Sequence, residues 1–142
     1  MTTPAKDSEA YNTLAYYTLM HRDPAFIHQL LVDTYAAQHA DSTSRPIYAA
    51  FALAGLYLHN EKGFIGKQVQ LAHMQLAKHK ESIPLFELPA DRGGMQISDV
   101  LEAEPGSLRD AAIEMWSRTT WGALKESTQE RLEGWLKTEL NP

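Results

Sequence analysis

The run Ala25-Phe-Ile-His-Gln-Leu-Leu-Val-Asp-Thr-Tyr-Ala-Ala-Gln-His39 places two histidines, an aspartate and a tyrosine in an otherwise apolar stretch. Imidazole can ligate a metal or move a proton near neutral pH, carboxylate can assist in either task, and a phenol can donate to a bound group. Leaving such a side chain buried without a partner costs on the order of 1–3 kcal/mol. Each must therefore bond to another side chain, to backbone, to water or to a ligand. The residue types establish that need without naming a reaction.

Helical geometry sorts these residues. At about 100° per residue, His28, Val32, Tyr35 and His39 fall within about 40° of one another, which makes His28 and Tyr35 candidates for a shared polar recess. His28 and His39 nevertheless lie about 16 Å apart along the axis, too far to share one metal with bonds of about 2 Å. A metal at His28 needs ligands from other helices. His59 and His73 supply imidazoles, and Asp33 or Glu61 a carboxylate. Asp33 stands about 140° from His28, so the His-x4-Asp spacing is no same-face dyad. Gln29 and Asp33, four apart, do share a strip, and a helix-side hydrogen bond or a cap to a neighbouring loop accounts equally for Asp33. A buried imidazole bonded to backbone or tyrosine accounts equally for His28. His39 and His59 stand near helix ends, where imidazole meets terminal carbonyls. His73 and His79 point about 120° apart, unlike a same-face metal pair. His21 carries no specific signal, and Trp116, Trp121 and Trp135 read as packing groups.

These groups must be positioned by helices. The second helix reads from about Pro24 to Gln38 and is apolar around most of its girth, as a central helix with several neighbours would be. A first helix, capped by Asp7 or Ser8, precedes it after a flexible residue 1–7 segment. A third starts near Arg45 or Pro46 and runs to about Glu61, stopped by Gly63. Ile65 to Lys80 has near-helical spacing of Val69, Ala72, Met74 and Leu76. From Ile83 to Gly94, two prolines and two glycines forbid a regular helix, leaving an irregular arm pinned by Leu85, Phe86 and Leu88. Met95 to Ile97 suits a short strand, followed by a helical turn from Ser98 through Leu101. A long helix follows Pro105-Gly106, and Ser127-x-x-Glu130 signals the start of a final one to Leu140. The expectation is an all-α, single-domain helical bundle over residues 1–142 with a Pro/Gly-containing arm.

Composition narrows the function classes. The sequence holds 142 residues, 44% hydrophobic and 22% charged, the balance of a folded domain rather than a disordered chain. The absence of cysteine removes disulfides and thiolate chemistry and suits a reducing cytoplasm. A net charge of -5 disfavours attraction to phosphate backbones, so no nucleic-acid partner is expected. The apolar-rich run Ile47 to Leu58 is too short to span a bilayer, which takes about 20 residues, and the first residues lack the regions of a signal peptide. No phosphate-cradling loop, dinucleotide turn, nucleophile elbow or His-Glu-x2-His helix is present.

The run from His28 to His39, with Phe51-Ala-Leu-Ala-Gly-Leu-Tyr-Leu58, Leu85-Phe-Glu-Leu-Pro89, Ile97-Ser-Asp-Val-Leu101 and the Trp116 to Trp121 region, resembles the bacterial domain-of-unknown-function family 5946. The most specific element is His-x4-Asp-x-Tyr-x2-Gln. The resemblance implies a cytoplasmic bacterial protein and selects His28, Asp33, Tyr35 and Gln38 as ligand-binding candidates. It brings no established activity. Many proteins of that kind carry an N-terminal cysteine-containing segment suggestive of a metal knuckle, and this sequence has no cysteine.

Two functional expectations follow. The first is a small ligand-binding or protein-interaction domain, a candidate homodimer, with a polar pocket around His28 and Tyr35. The second is a metal-dependent hydrolase holding a divalent metal through His28, His59 and His73 with a carboxylate.

Overall fold

Proline, glycine and short polar side chains decide where each helix begins and ends. The structure, a computed structural model, describes residues 4–20 and 23–140, with side chains from Lys6 onward. His21 lies outside them. Seven α-helices follow one another: α1 (Pro4–Met20), α2 (Ile27–His39), α3 (Pro46–Lys62), α4 (Gly66–Leu76), α5 (Ile97–Glu102), α6 (Ser107–Gly122) and α7 (Glu126–Leu140). A 3-10 turn over Ala77–Ser82 extends α4. The chain is all-α, with no strand among the described residues.

Pro46 opens α3 at a position whose N–H has no helical partner, and Gly63 closes it with φ 71°, a left-handed conformation that glycine adopts without a side-chain clash. Between them, every residue from Ala52 to Leu58 is buried. Such enclosure requires neighbours all round, and α3 packs on α2, α4, α6 and α7. Its partner α2 is likewise central, touching α1, α3, α4 and α6. One hydrophobic cluster joins them, with Leu14, Leu31, Leu53, Ile113, Trp116 and Leu136 fully enclosed.

Several boundaries differ from those expected. Pro4 already lies in α1, and Asp7 is buried because its carboxylate meets His39 of α2. The second helix starts at Ile27, not Pro24. Asp23 accepts from the Ile27 and His28 backbone N–H groups at 2.7 and 3.1 Å, which satisfies donors that the first helical turn leaves free. Phe26 then takes a left-handed conformation, φ 59°. This bend lets the Ala25 carbonyl accept from Gly66 N–H at 2.9 Å, joining the starts of α2 and α4. At 95–97 there is no strand. The Asp99 carboxylate reaches back to the Gln96 N–H at 2.8 Å and starts α5 instead. The fourth helix stops at Leu76, where the tighter turn takes over, and the last begins at Glu126, one residue before the proposed Ser127 cap.

The arm from Ile83 to Gly94 is irregular, as its prolines and glycines require. Phe86 and Leu88 pack on the core, and Phe86 stands 5.8 Å from the Trp135 ring; Leu85 points outward. Arg92 fixes the arm to the end of α2. Its guanidinium donates to the carbonyls of Ala37 and Gln38, each at 3.2 Å, and to that of Ala40. These are among the carbonyls a helix end leaves without partners, and a cation suits the negative end of the dipole.

A Cβ on Gly66 would sit 1.8 Å from the Phe26 carbonyl oxygen, whereas one on Gly134 of α7 would meet nothing within 4 Å. Gly66→Ala should therefore destabilise the fold by about 1–3 kcal/mol. Gly134→Ala should stabilise it by about 0.5–1 kcal/mol through helix propensity. Urea unfolding of the two variants should move in opposite directions.

Candidate functional site

The polar stripe of α2 faces another helix. His28 Nδ1 lies 2.8 Å from the Thr18 hydroxyl, the Tyr35 ring packs 4.4 Å from Tyr11, and His39 Nε2 lies 3.0 Å from the Asp7 carboxylate. Steps of seven and four residues along α2 are matched by steps of seven and four, in reverse, along α1. The stripe is thus the seam of an antiparallel helix pair. His28 and Tyr35 share a face, as the spacing predicts, but they sit about 10 Å apart along the axis and meet different levels of α1 instead of one recess. Tyr35 also stacks on His39 at 4.1 Å, whose Nδ1 lies 2.8 Å from the Tyr35 carbonyl. Burial lowers the pKa of His28 and raises that of Tyr35.

Gln38 ties other elements together. Its amide donates to the Met95 carbonyl at 2.8 Å, with the Arg92 carbonyl and the Thr120 hydroxyl at 3.3 and 3.2 Å. This links the end of α2 to the arm and α6, and its carbonyl oxygen is buried without a partner.

The three histidines proposed as metal ligands stay apart because each is engaged by a different neighbour. His28 meets Thr18, while His59 lies between the Phe64 carbonyl at 2.8 Å and the Glu114 carboxylate at 2.5 Å. His73 donates through Nε2 to the Phe51 carbonyl at 2.8 Å, an oxygen that can only accept. Glu61 accepts from the Trp121 indole at 2.7 Å. Among the described residues, no three histidine, aspartate or glutamate side chains stand together so as to hold a metal ion.

Asp33 is different in kind. Its side chain is almost wholly enclosed, and among the described residues one hydrogen bond reaches it, from Gln29 Nε2 to Oδ1 at 3.2 Å. The second oxygen faces His73 Nε2 at 3.9 Å, beyond hydrogen-bond distance, and that N–H is already given to Phe51. Oδ2 also rests on the bare Cα of Gly55 in α3, where an added Cβ would come within 1.9 Å of it. Burial pushes the Asp33 carboxyl well above the ordinary carboxylate range, opposed by the Gln29 bond, and burial pushes the His73 imidazole down. Both groups are held toward their neutral forms.

These two side chains line a recess of about 380 Å³ formed by α2, α3 and α4, with Val32, Tyr48, Phe51 and Ala52 among its walls. Phe51 and His73 stack at 5.0 Å to form one side. A mostly apolar hollow with a carboxyl and an imidazole among its walls can orient a small molecule through one or two hydrogen bonds while its body displaces water. Of the four ligand-binding candidates, Asp33 alone reaches this recess. Gly55 and His73 complete its setting, and an isolated glycine within the apolar run of the third helix was the sequence signal for close packing there.

The sequence model of a family of unknown function, DUF5946, matches residues 8–125. The chain belongs to this family. The matched span of DUF5946 takes in α2, α3, α4 and the whole recess. No curated protein and no solved structure matches the chain.

Two pH effects should be measurable. Asp33 has a raised folded pKa, so the folded state holds its proton longer than the unfolded chain. Stability therefore falls as pH rises from about 3.8, the ordinary value, to the folded value, and is level above it. Asp33→Asn, which mimics the neutral form, should be the more stable protein at pH 7, with the gap closing toward acid pH. His59 has a pKa raised chiefly by its bond to Glu114. Its contribution is full below about 6.5 and is lost as pH rises through the folded value. Glu114→Gln should remove that slope and, with Glu114 partly exposed, cost no more than about 1 kcal/mol at pH 6.

Proposed function

We propose that this domain binds a small, largely apolar molecule in the α2–α3–α4 recess, with Asp33 as its polar anchor and His73 beside it. The observation that carries this reading is the Asp33 carboxyl, which lines the recess from a buried residue and, among the described residues, receives one hydrogen bond, to Oδ1, and none to Oδ2. An under-bonded buried carboxyl works against stability, and Gly55 is kept bare beneath it at a further cost in helix propensity. A ligand group bonding to Oδ2 would offset the first of these. The cysteine-free composition supports a cytoplasmic setting for this activity.

The metal-dependent hydrolase reading draws no support from the placement of His28, His59 and His73, each held by a separate partner. The seam position of His28 and Tyr35 favours a structural task for both.

A fragment screen by protein-observed NMR tests the reading. Binders should shift the amide signals of Val32, Asp33, Phe51 and His73 together, and Val32→Trp, which fills the recess, should abolish those shifts while leaving the helical circular dichroism intact. Hits that leave these signals unmoved, or that survive the filled recess, would refute it.

A further inference from the structure

We infer that the ligand of this recess carries a cationic nitrogen, an organic ammonium group, which seats against Asp33 Oδ2 with its apolar body along the Phe51 and Tyr48 side. This rests on the recess being a binding site and adds the chemical class of what it takes.

Donor and acceptor supply on each packed element leads to this class. Oδ1 is served by Gln29 of the same helix. From α4, His73 has given its Nε2–H to the Phe51 carbonyl and cannot also donate to Oδ2 at 3.9 Å. From α1, Tyr11 has its pKa raised first by burial, then by Tyr48 and Asp33, and among the described residues it makes no hydrogen bond to the Asp33 carboxyl. From α3, Tyr48 contributes a phenol to the wall, and Arg45 lies at the edge of the same recess without an ion pair to Asp33. Gly55 contributes backbone alone. Among the described residues no lysine or arginine is paired with Asp33, so the place for a cation beside Oδ2 is left to an incoming group. The Phe51 and Tyr48 rings line the recess, and a cation over a ring is attracted by the ring quadrupole. The overall charge of -5 favours approach of a cation.

The exchange balances in protons. Binding leaves a carboxylate–ammonium pair: a carboxyl that is protonated beforehand gives its proton to solvent as the ammonium arrives, and one already ionised pairs with no proton released. Removing the competing proton beforehand should strengthen binding, so affinity should rise with pH until the amine itself loses its charge.

Benzylamine, benzyl alcohol and benzoate, alike in ring and reach, make the test by calorimetry and NMR at several pH values and in buffers of different ionisation enthalpy. The amine should bind about tenfold tighter than the alcohol at neutral pH, with buffer-dependent heat at any pH where the free carboxyl is protonated. Asp33→Asn should erase the amine's advantage over the alcohol, with helical circular dichroism and the urea midpoint showing that the variant is folded. An alcohol or a benzoate that binds as well as the amine overturns the inference and leaves the recess as a site for neutral or anionic molecules. If none of the three shifts the recess signals while other fragments do, the ammonium class is wrong and the site stands. If nothing binds there at all, both readings fall.

Discussion

The close approach of α2 to α3 at Asp33 and Gly55 governs the centre of this protein. A carboxyl oxygen occupies the volume that any side chain at position 55 would need, so the two helices come near enough for α3 to be buried along Ala52 to Leu58. Protein interiors tolerate few voids, and here the space left by one missing side chain is filled by a polar group from the neighbouring helix. The same contact puts an ionisable residue in the wall of a recess, where its neutral form is favoured. Packing and chemistry therefore meet at one point, and a change at either residue alters both.

Around that point, polar side chains work mainly as ties between elements distant in sequence. His39 and Asp7 join α2 to α1, His59 and Glu114 join α3 to α6, and His73 joins α4 to an α3 carbonyl. Gln38 and Arg92 close the arm over the end of α2. Most of the histidines that invite a catalytic reading are explained by such bonds, consistent with the general rule that buried polar groups are satisfied by protein partners. Asp33 meets the rule only in part, as does Gln38, but Asp33 alone of the two lines the α2–α3–α4 recess.

The sequence made some of this legible. The 3.6-residue period placed His28, Tyr35 and His39 on one face, and that face is real. What covers it was hidden, because periodicity within a helix holds no information about which helix packs against it. The Gln29–Asp33 bond was readable for the same local reason; the nearness of His73, forty residues on, was not. Prolines and glycines correctly marked the arm, whereas the alternation at 95–97 suggested a strand that a single back-reaching carboxylate at Asp99 turned into a helix start. The start of α2 was misplaced because the left-handed bend at Phe26 answers to Gly66, a residue in another helix.

Both ends of α2 are gripped from outside the helix: the Asp23 carboxylate receives its first N–H groups, and the Arg92 guanidinium covers its last carbonyls. Negative charge thus meets the positive pole and positive charge the negative pole. Length and position of the helix are set by these clamps more than by the propensity of its residues, so the floor beneath Asp33 has little room to slide or unwind. A hollow lined by such a helix is preformed, and the entropy of ordering its wall is spent when the chain folds.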